Sequence, residues 1–123
     1  MEDHIFKPGP NNVFVFGSNK GGRHSLGAAK TARMLYGAIY GVGEGLQGNS
    51  YAIPTKDANI KTLDLADIQE GVDRFIKFAR NSQDLNFFVT AIGTGLAGYK
   101  ACDIAPMFKD APSNCKLPPG WRT

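Results

Sequence analysis

The chain has only two cysteines and two histidines in 123 residues, and each scarcity closes off a class of chemistry. Cys102 and Cys115 have no metal-ligand spacing, so both read as reduced and structural. His4 and His24 are too few for a histidine-rich metal site, and no metal or cofactor is expected. No apolar run approaches the ~20 residues that a membrane span needs, and Met1 to Pro10 lacks the apolar core of a signal peptide. Those two absences predict a cytoplasmic protein with no membrane partner. There is no low-complexity tract, and the length leaves no room for a second domain. A hydrophobic content of 42% with 20% charged residues suits a single soluble globular domain. The net charge of +3 suits an anionic ligand. Lys and Arg are scattered rather than clustered with aromatics, so a nucleic-acid surface is not indicated.

Glycine is plentiful, and it is grouped. Gly17-Ser18-Asn19-Lys20-Gly21-Gly22 and Gly93-Thr94-Gly95-Leu96-Ala97-Gly98 each follow a short apolar run, Val13 to Phe16 and Phe87 to Ile92. Each also precedes a plausible helix. Glycine lets main-chain N–H groups crowd around a phosphate, and a helix opening behind the turn adds the positive end of its dipole. One such loop more often only reverses the chain. Two of matching design shift the reading toward nucleotide binding.

The rest of the pattern alternates strands and helices. Met1 to Asn12, punctuated by Pro8, Gly9 and Pro10, reads as an N-terminal arm. Val13 to Phe16 and Phe87 to Ile92 are apolar without alternation and are expected to be adjacent central strands. Ser25 is placed to cap a helix from Leu26 to about Tyr36, with Gly37 as its stop. Ala38 to Tyr40 and Tyr51 to Pro54 read as short strands. Asp64 is placed to cap a helix through Arg80, because Leu65, Ile68, Val72, Phe75, Ile76 and Ala79 share one face. A short helix around Ile104 to Phe108 and a strand near Asn114 to Leu117 follow. The sum is an α/β layered domain with a mixed, largely parallel sheet, in which ligands sit at the carboxyl ends of strands.

Single residues admit two readings each. Asn19 leaves a buried strand and could hold a ribose hydroxyl or a water, or simply form a turn. Lys20, Arg23 and Lys30 read as solvated charges, although Arg23 beside the glycines could touch a phosphate. His24 could hydrogen-bond a ligand or face solvent. Lys56 ends a strand, where it can contact phosphate or, with a depressed pKa, attack a sugar carbon. Glu44 and Asp57 could pair for acid/base work.

In motif order, these segments resemble the macrodomain family of ADP-ribose-binding α/β modules, from Val13 to Phe108. Val15-Phe16-Gly17-Ser18-Asn19 stands for a strand ending in an Asn-containing turn, Gly21 to Ala29 for a glycine-rich loop entering a helix. Gly93-Thr94-Gly95-Leu96-Ala97-Gly98-Tyr99 is similar to the diphosphate-gripping loop. Within the family, Tyr51-Ala52-Ile53-Pro54-Thr55-Lys56 and Ile92-Gly93-Thr94-Gly95-Leu96 look most like the terminal ADP-ribose glycohydrolase type, with Lys56 in place of its lysine. The chain also resembles small macrodomain-like proteins of bacteria and their phages.

The resemblance implies a three-layer α/β/α fold, monomeric or homo-oligomeric, that binds ADP-ribose or a related nucleotide; in a phage it could sequester a nucleotide immune signal in the host cytoplasm. The implied ligand contacts are Gly17, Ser18, Asn19, Gly21, Gly22, His24, Ser25, Leu26 and Gly27 from the first loop. Gly93, Thr94, Gly95, Leu96, Ala97, Gly98 and Tyr99 come from the second, with Tyr99 against a sugar or base. The departures bear on turnover. The glycohydrolase type carries an acid where this chain has Ala97, and another hydrolase type carries an Asp where this chain has Leu26. Recognition is therefore the leading expectation, and hydrolysis through Lys56 with a carboxylate such as Asp57 the alternative.

Overall fold

The computed structural model describes residues 9–122. Most of the arm expected over Met1 to Asn12, including His4, lies outside the described residues. Five strands form one mixed sheet: β1 (Asn12–Asn19), β2 (Gly45–Gln47), β3 (Ser50–Lys56), β4 (Asn86–Val89) and β5 (Cys115–Lys116). Their order is β2-β3-β1-β4-β5. β1 runs parallel to β3 and β4, β4 runs parallel to β5, and β2 alone is antiparallel, against β3. The two apolar runs are thus neighbours, with β1 at the centre.

Period-two alternation divides the sheet's side chains between two layers. Val13 and Val15 of β1, Tyr51 and Ile53 of β3, and Phe87 and Val89 of β4 join the larger core under α2 (Leu65–Arg80). Phe14, Phe16 and Ala52 point the other way, onto Ala29 and Ala32 of α1 (Gly27–Leu35). The result is a three-layer α/β/α arrangement. α2 begins as its sequence indicates, with the Asp64 carboxylate accepting the Asp67 N–H at 2.9 Å. A stepped pair, α3 (Ala101–Ile104) and a 3-10 turn (Ala105–Phe108), adds Ile104, Met107 and Phe108 to the larger core.

Three expected elements differ. Ala38 to Tyr40 forms no strand and runs as irregular chain into a turn at Tyr40, because the Gln47 side chain takes the Ile39 N–H at 2.7 Å and donates to Val42 O at 3.1 Å, satisfying the segment without a strand partner. The strand from Phe87 ends at Val89, where both the N–H and the hydroxyl of Thr90 bond to Val15 O, at 3.0 and 2.8 Å. Ser25 does not cap α1. The cap position is Leu26, which has no side-chain acceptor to offer.

This topology opens a crevice. From β1 the chain leaves for the α1 layer; from β4 it leaves for the opposite layer, through α3. Adjacent parallel strands whose connections diverge to opposite faces leave a gap at their carboxyl ends, where α/β folds bind ligands. The loops following β1 and β4 are the two glycine loops.

Candidate functional site

A cleft of about 520 Å³ lies in that gap, lined by residues 17–19, 23, 25–29, 55–56, 60 and 90–97. The volume is within the roughly 300–1,000 Å³ of small-molecule sites. Of the residues singled out in the sequence, Gly17, Ser18, Asn19, Ser25, Leu26, Gly27, Lys56 and the run Gly93-Thr94-Gly95-Leu96-Ala97 stand on its wall. A register shift between Ser18 and Asn19 sets Asn19 beside Lys56 at the strand ends.

The wall is rich in uncommitted main-chain donors. The first N–H groups of a helix have no partner within it. In α1 these belong to Gly27, Ala28 and Ala29, no side chain caps them, and the first turn carries no acid. Gly27, at φ +59, adopts the left-handed conformation where the chain enters the helix, and Gly27, Ala28 and Ala29 all line the cleft. In the facing loop, the N–H groups of Thr94, Gly98 and Tyr99 turn back onto Ala91, Gly95 and Gly93, whereas those of Gly95, Leu96 and Ala97 bond to nothing among the described residues. Two sets of three N–H groups therefore belong to residues that line one cleft.

Its charge has one sign. Arg23 and Lys56 reach the cleft, and no Asp or Glu lines it. The proposed partnership of Glu44 with Asp57 does not form. Glu44 holds Arg74 through two bonds, at 2.6 and 3.0 Å, and Asp57 accepts the N–H groups of Asn59 and Lys61, at 2.8 and 3.0 Å. Glu44 adds to burial, the larger cause, in pushing the Tyr51 phenol up to about 12. Among the described residues no group of three or more His, Cys, Asp or Glu side chains could hold a metal.

Several residues expected at the ligand belong to the scaffold. His24 is 0% exposed and stands off the cleft wall: its Nε2 meets Val42 O at 2.9 Å and its ring meets Phe16 edge-on at 5.2 Å. Because a carbonyl only accepts, Nε2 carries the proton, and Nδ1 is left without a partner. Gly22 is needed for close approach, since a Cβ there would lie 2.3 Å from the backbone of Gly41 and Val42. Gly21 packs on Ala58, and its own added Cβ would clear that residue at 3.6 Å. Tyr99 turns into the larger core and donates to Leu63 O at 2.6 Å, which removes it from the sugar or base contact; Gly98 likewise stands off the wall. Thr55, Ile60, Thr90 and Ala91 complete the wall and were not marked as site residues by sequence. Thr55 precedes Lys56 at a strand end, a position that suggested it; Ile60 gave no signal.

Compared with family models, with curated proteins and with solved structures, the chain finds no match. No helix among the described residues is long and apolar enough to cross a membrane.

Proposed function

We propose that the cleft binds a phosphate-bearing nucleotide of the ADP-ribose class and returns it unchanged. The observation that carries this reading is the pairing of two unpartnered donor rows, Gly27 to Ala29 and Gly95 to Ala97, across a cleft containing two cations and no carboxylate. Each row suits one phosphate, because grouped N–H donors favour negative charge, and the dipole of α1 adds to the first row alone. A diphosphate fits two rows better than a monophosphate does. The resemblance of the two loops to those of macrodomains supports the choice of ADP-ribose within that chemistry.

The same wall argues for retention over cleavage. Breaking a glycosidic or ester bond needs a group to protonate the leaving oxygen, and neither lysine nor arginine is matched to that task beside an anion. Binding without turnover is what a nucleotide-sequestering protein requires. One observation favours hydrolysis: Lys56 reaches the cleft and makes no ion pair among the described residues. Titration calorimetry against ADP-ribose, NAD, and linear and cyclic nucleotides tests the proposal. Saturable heats with ADP-ribose are expected, and no heat with any of these ligands overturns it.

A further inference from the structure

Ile60 is the one non-glycine residue among those described with a positive φ, +65°. A β-branched side chain is among the worst suited to that region, where Gly or Asn is the ordinary choice. The turn imposes it. Asp57 Oδ1 takes the N–H groups of Asn59 and Lys61, and Asp57 and Lys61 also bond through the main chain at 2.8 Å. Lys56 and Thr62 bridge the base of this small hairpin. Thr62 then donates to Ala97 O at 3.1 Å and Tyr99 to Leu63 O at 2.6 Å, so the hairpin is fastened to the second glycine loop. The fixed hairpin presents the Ile60 side chain to the cleft, 40% exposed, together with Leu26 and Leu96, each 65% exposed. Leu96 and Gly27 come together across the gap, with 3.9 Å between Leu96 Cδ1 and the Cβ position on Gly27.

The polar side chains of the same wall are largely spent on the protein. Ser18, Thr55, Thr90 and Thr94 give their hydroxyl hydrogens to main-chain carbonyls, and Asn19 uses both ends of its amide on Arg23. Among the described residues, the side chains of Arg23, Ser25 and Lys56 on this wall make no hydrogen bond, and Asn19 keeps its second amide N–H.

On the reading of the cleft as a diphosphate site, we infer that Ile60, Leu26 and Leu96 form an aliphatic subsite for the flat, uncharged heteroaromatic ring of the ligand, gripped by contact and not read by hydrogen bonds at its edge. A strained isoleucine at a turn position open to glycine makes sense where the side chain is needed outward, toward a ligand. Aliphatic carbons packed on a ring face remove apolar area from water whatever the ring's edge carries. The site thereby accepts a class of nucleotides and not one base.

The test titrates wild type, Ile60→Gly and Ile60→Leu with inorganic pyrophosphate, ADP, GDP and UDP, and records the Tm of each variant. Wild type is expected to bind ADP at least roughly tenfold more tightly than pyrophosphate, as burial of apolar contact area requires. The three nucleotides should fall within roughly threefold of one another, because no edge-specific bond separates them. Ile60→Gly relieves the backbone and should raise Tm by about 3 °C, yet weaken ADP by roughly fivefold or more while leaving pyrophosphate unchanged. Ile60→Leu should retain the affinity of wild type for ADP. Unchanged ADP binding in Ile60→Gly, or a strong preference for one base, overturns the subsite while the anion site stands. A wild type that binds neither pyrophosphate nor any nucleotide overturns both.

Discussion

Asn19 closes a ring with the main chain of Arg23: its Oδ1 accepts the Arg23 N–H at 2.9 Å and its Nδ2 donates to the Arg23 carbonyl at 3.0 Å. An amide matched to a peptide unit in this way sets the path of the first loop while Asn19 stays on the cleft wall. Its task is to hold the chain between β1 and α1 so that the helix end faces the cleft. Removing either half of the ring leaves a part-buried main-chain group of Arg23 unpaired, at a cost of about 1 kcal/mol. Asn19→Ala and Asn19→Asp should therefore both lower stability in a urea titration, Asp because it loses the donor. An Asn19→Ala variant with unaltered stability and weakened ligand would return Asn19 to the role of a direct contact.

Glycines in the two loops do different work, and substitution separates them. A Cβ on Gly95 meets nothing within 4 Å and points into open space at the cleft, so Gly95→Val is expected to fold and to lose ligand binding. Gly22 has φ +70 and no room for a Cβ. Gly22→Ala should destabilise by about 2 kcal/mol or more, because both the conformation and the packing resist it. Circular dichroism melts paired with calorimetry check both. A Gly95→Val protein that binds as well as wild type would remove the second loop from the site.

Stability should fall at high pH through two buried groups. Burial, against a smaller opposing effect of Arg122, pushes the Cys115 thiol from 9.0 up to about 12; burial, assisted by Glu44, does the same to Tyr51, from 10.0 to about 12. Below pH 9 both groups are neutral whether the chain is folded or not, and neither makes stability depend on pH. Above it the unfolded chain ionises first, releasing protons that the folded chain retains, so stability declines as pH rises toward 12. The slope is at most about 1.4 kcal/mol per pH unit for each group. Chemical denaturation between pH 8 and pH 11 should show the fall starting near pH 9. Cys115→Ala should move its onset to about pH 10, where Tyr51 takes over; a profile identical to wild type would show that the thiol titrates freely.

Much of this architecture was legible because its signals were local. The apolar runs Val13 to Phe16 and Phe87 to Ile92 identified the paired central strands, though the second strand ends at Val89, and the helical face from Leu65 to Ala79 with Asp64 ahead of it identified α2. The glycine loops were visible for the same reason, and strand order then brought them together. What stayed hidden depended on distant partners. Gln47 satisfies Ile39 and so dissolves an expected strand. His24 looks like any loop histidine until Val42, eighteen residues on, meets its ring. Tyr99 follows a ligand loop but is drawn inward by Leu63. Ile60 carried no mark at all, since only the turn built by Asp57 and Lys61 forces its backbone.

On the proposed reading, the fate of a bound ligand turns on Lys56. A lysine acting as a nucleophile needs a second group to assist departure of the leaving oxygen. Asp57, next in sequence, has its Oδ1 engaged by the N–H groups of Asn59 and Lys61 and does not line the cleft, and Ala97 supplies nothing. Lys56 instead lines the cleft with Arg23 beside two rows of N–H donors, which supports the proposed binding role. Stoichiometric protein mixed with ADP-ribosylated peptide or with a nucleotide, then denatured, should release the ligand intact by mass spectrometry. Lys56→Ala should weaken binding by roughly tenfold through loss of one charge-assisted contact, without altering the chemical identity of what is released. Multiple-turnover cleavage by wild type that disappears in Lys56→Ala would replace retention by hydrolysis, and would require a proton donor that comes from the ligand or from solvent.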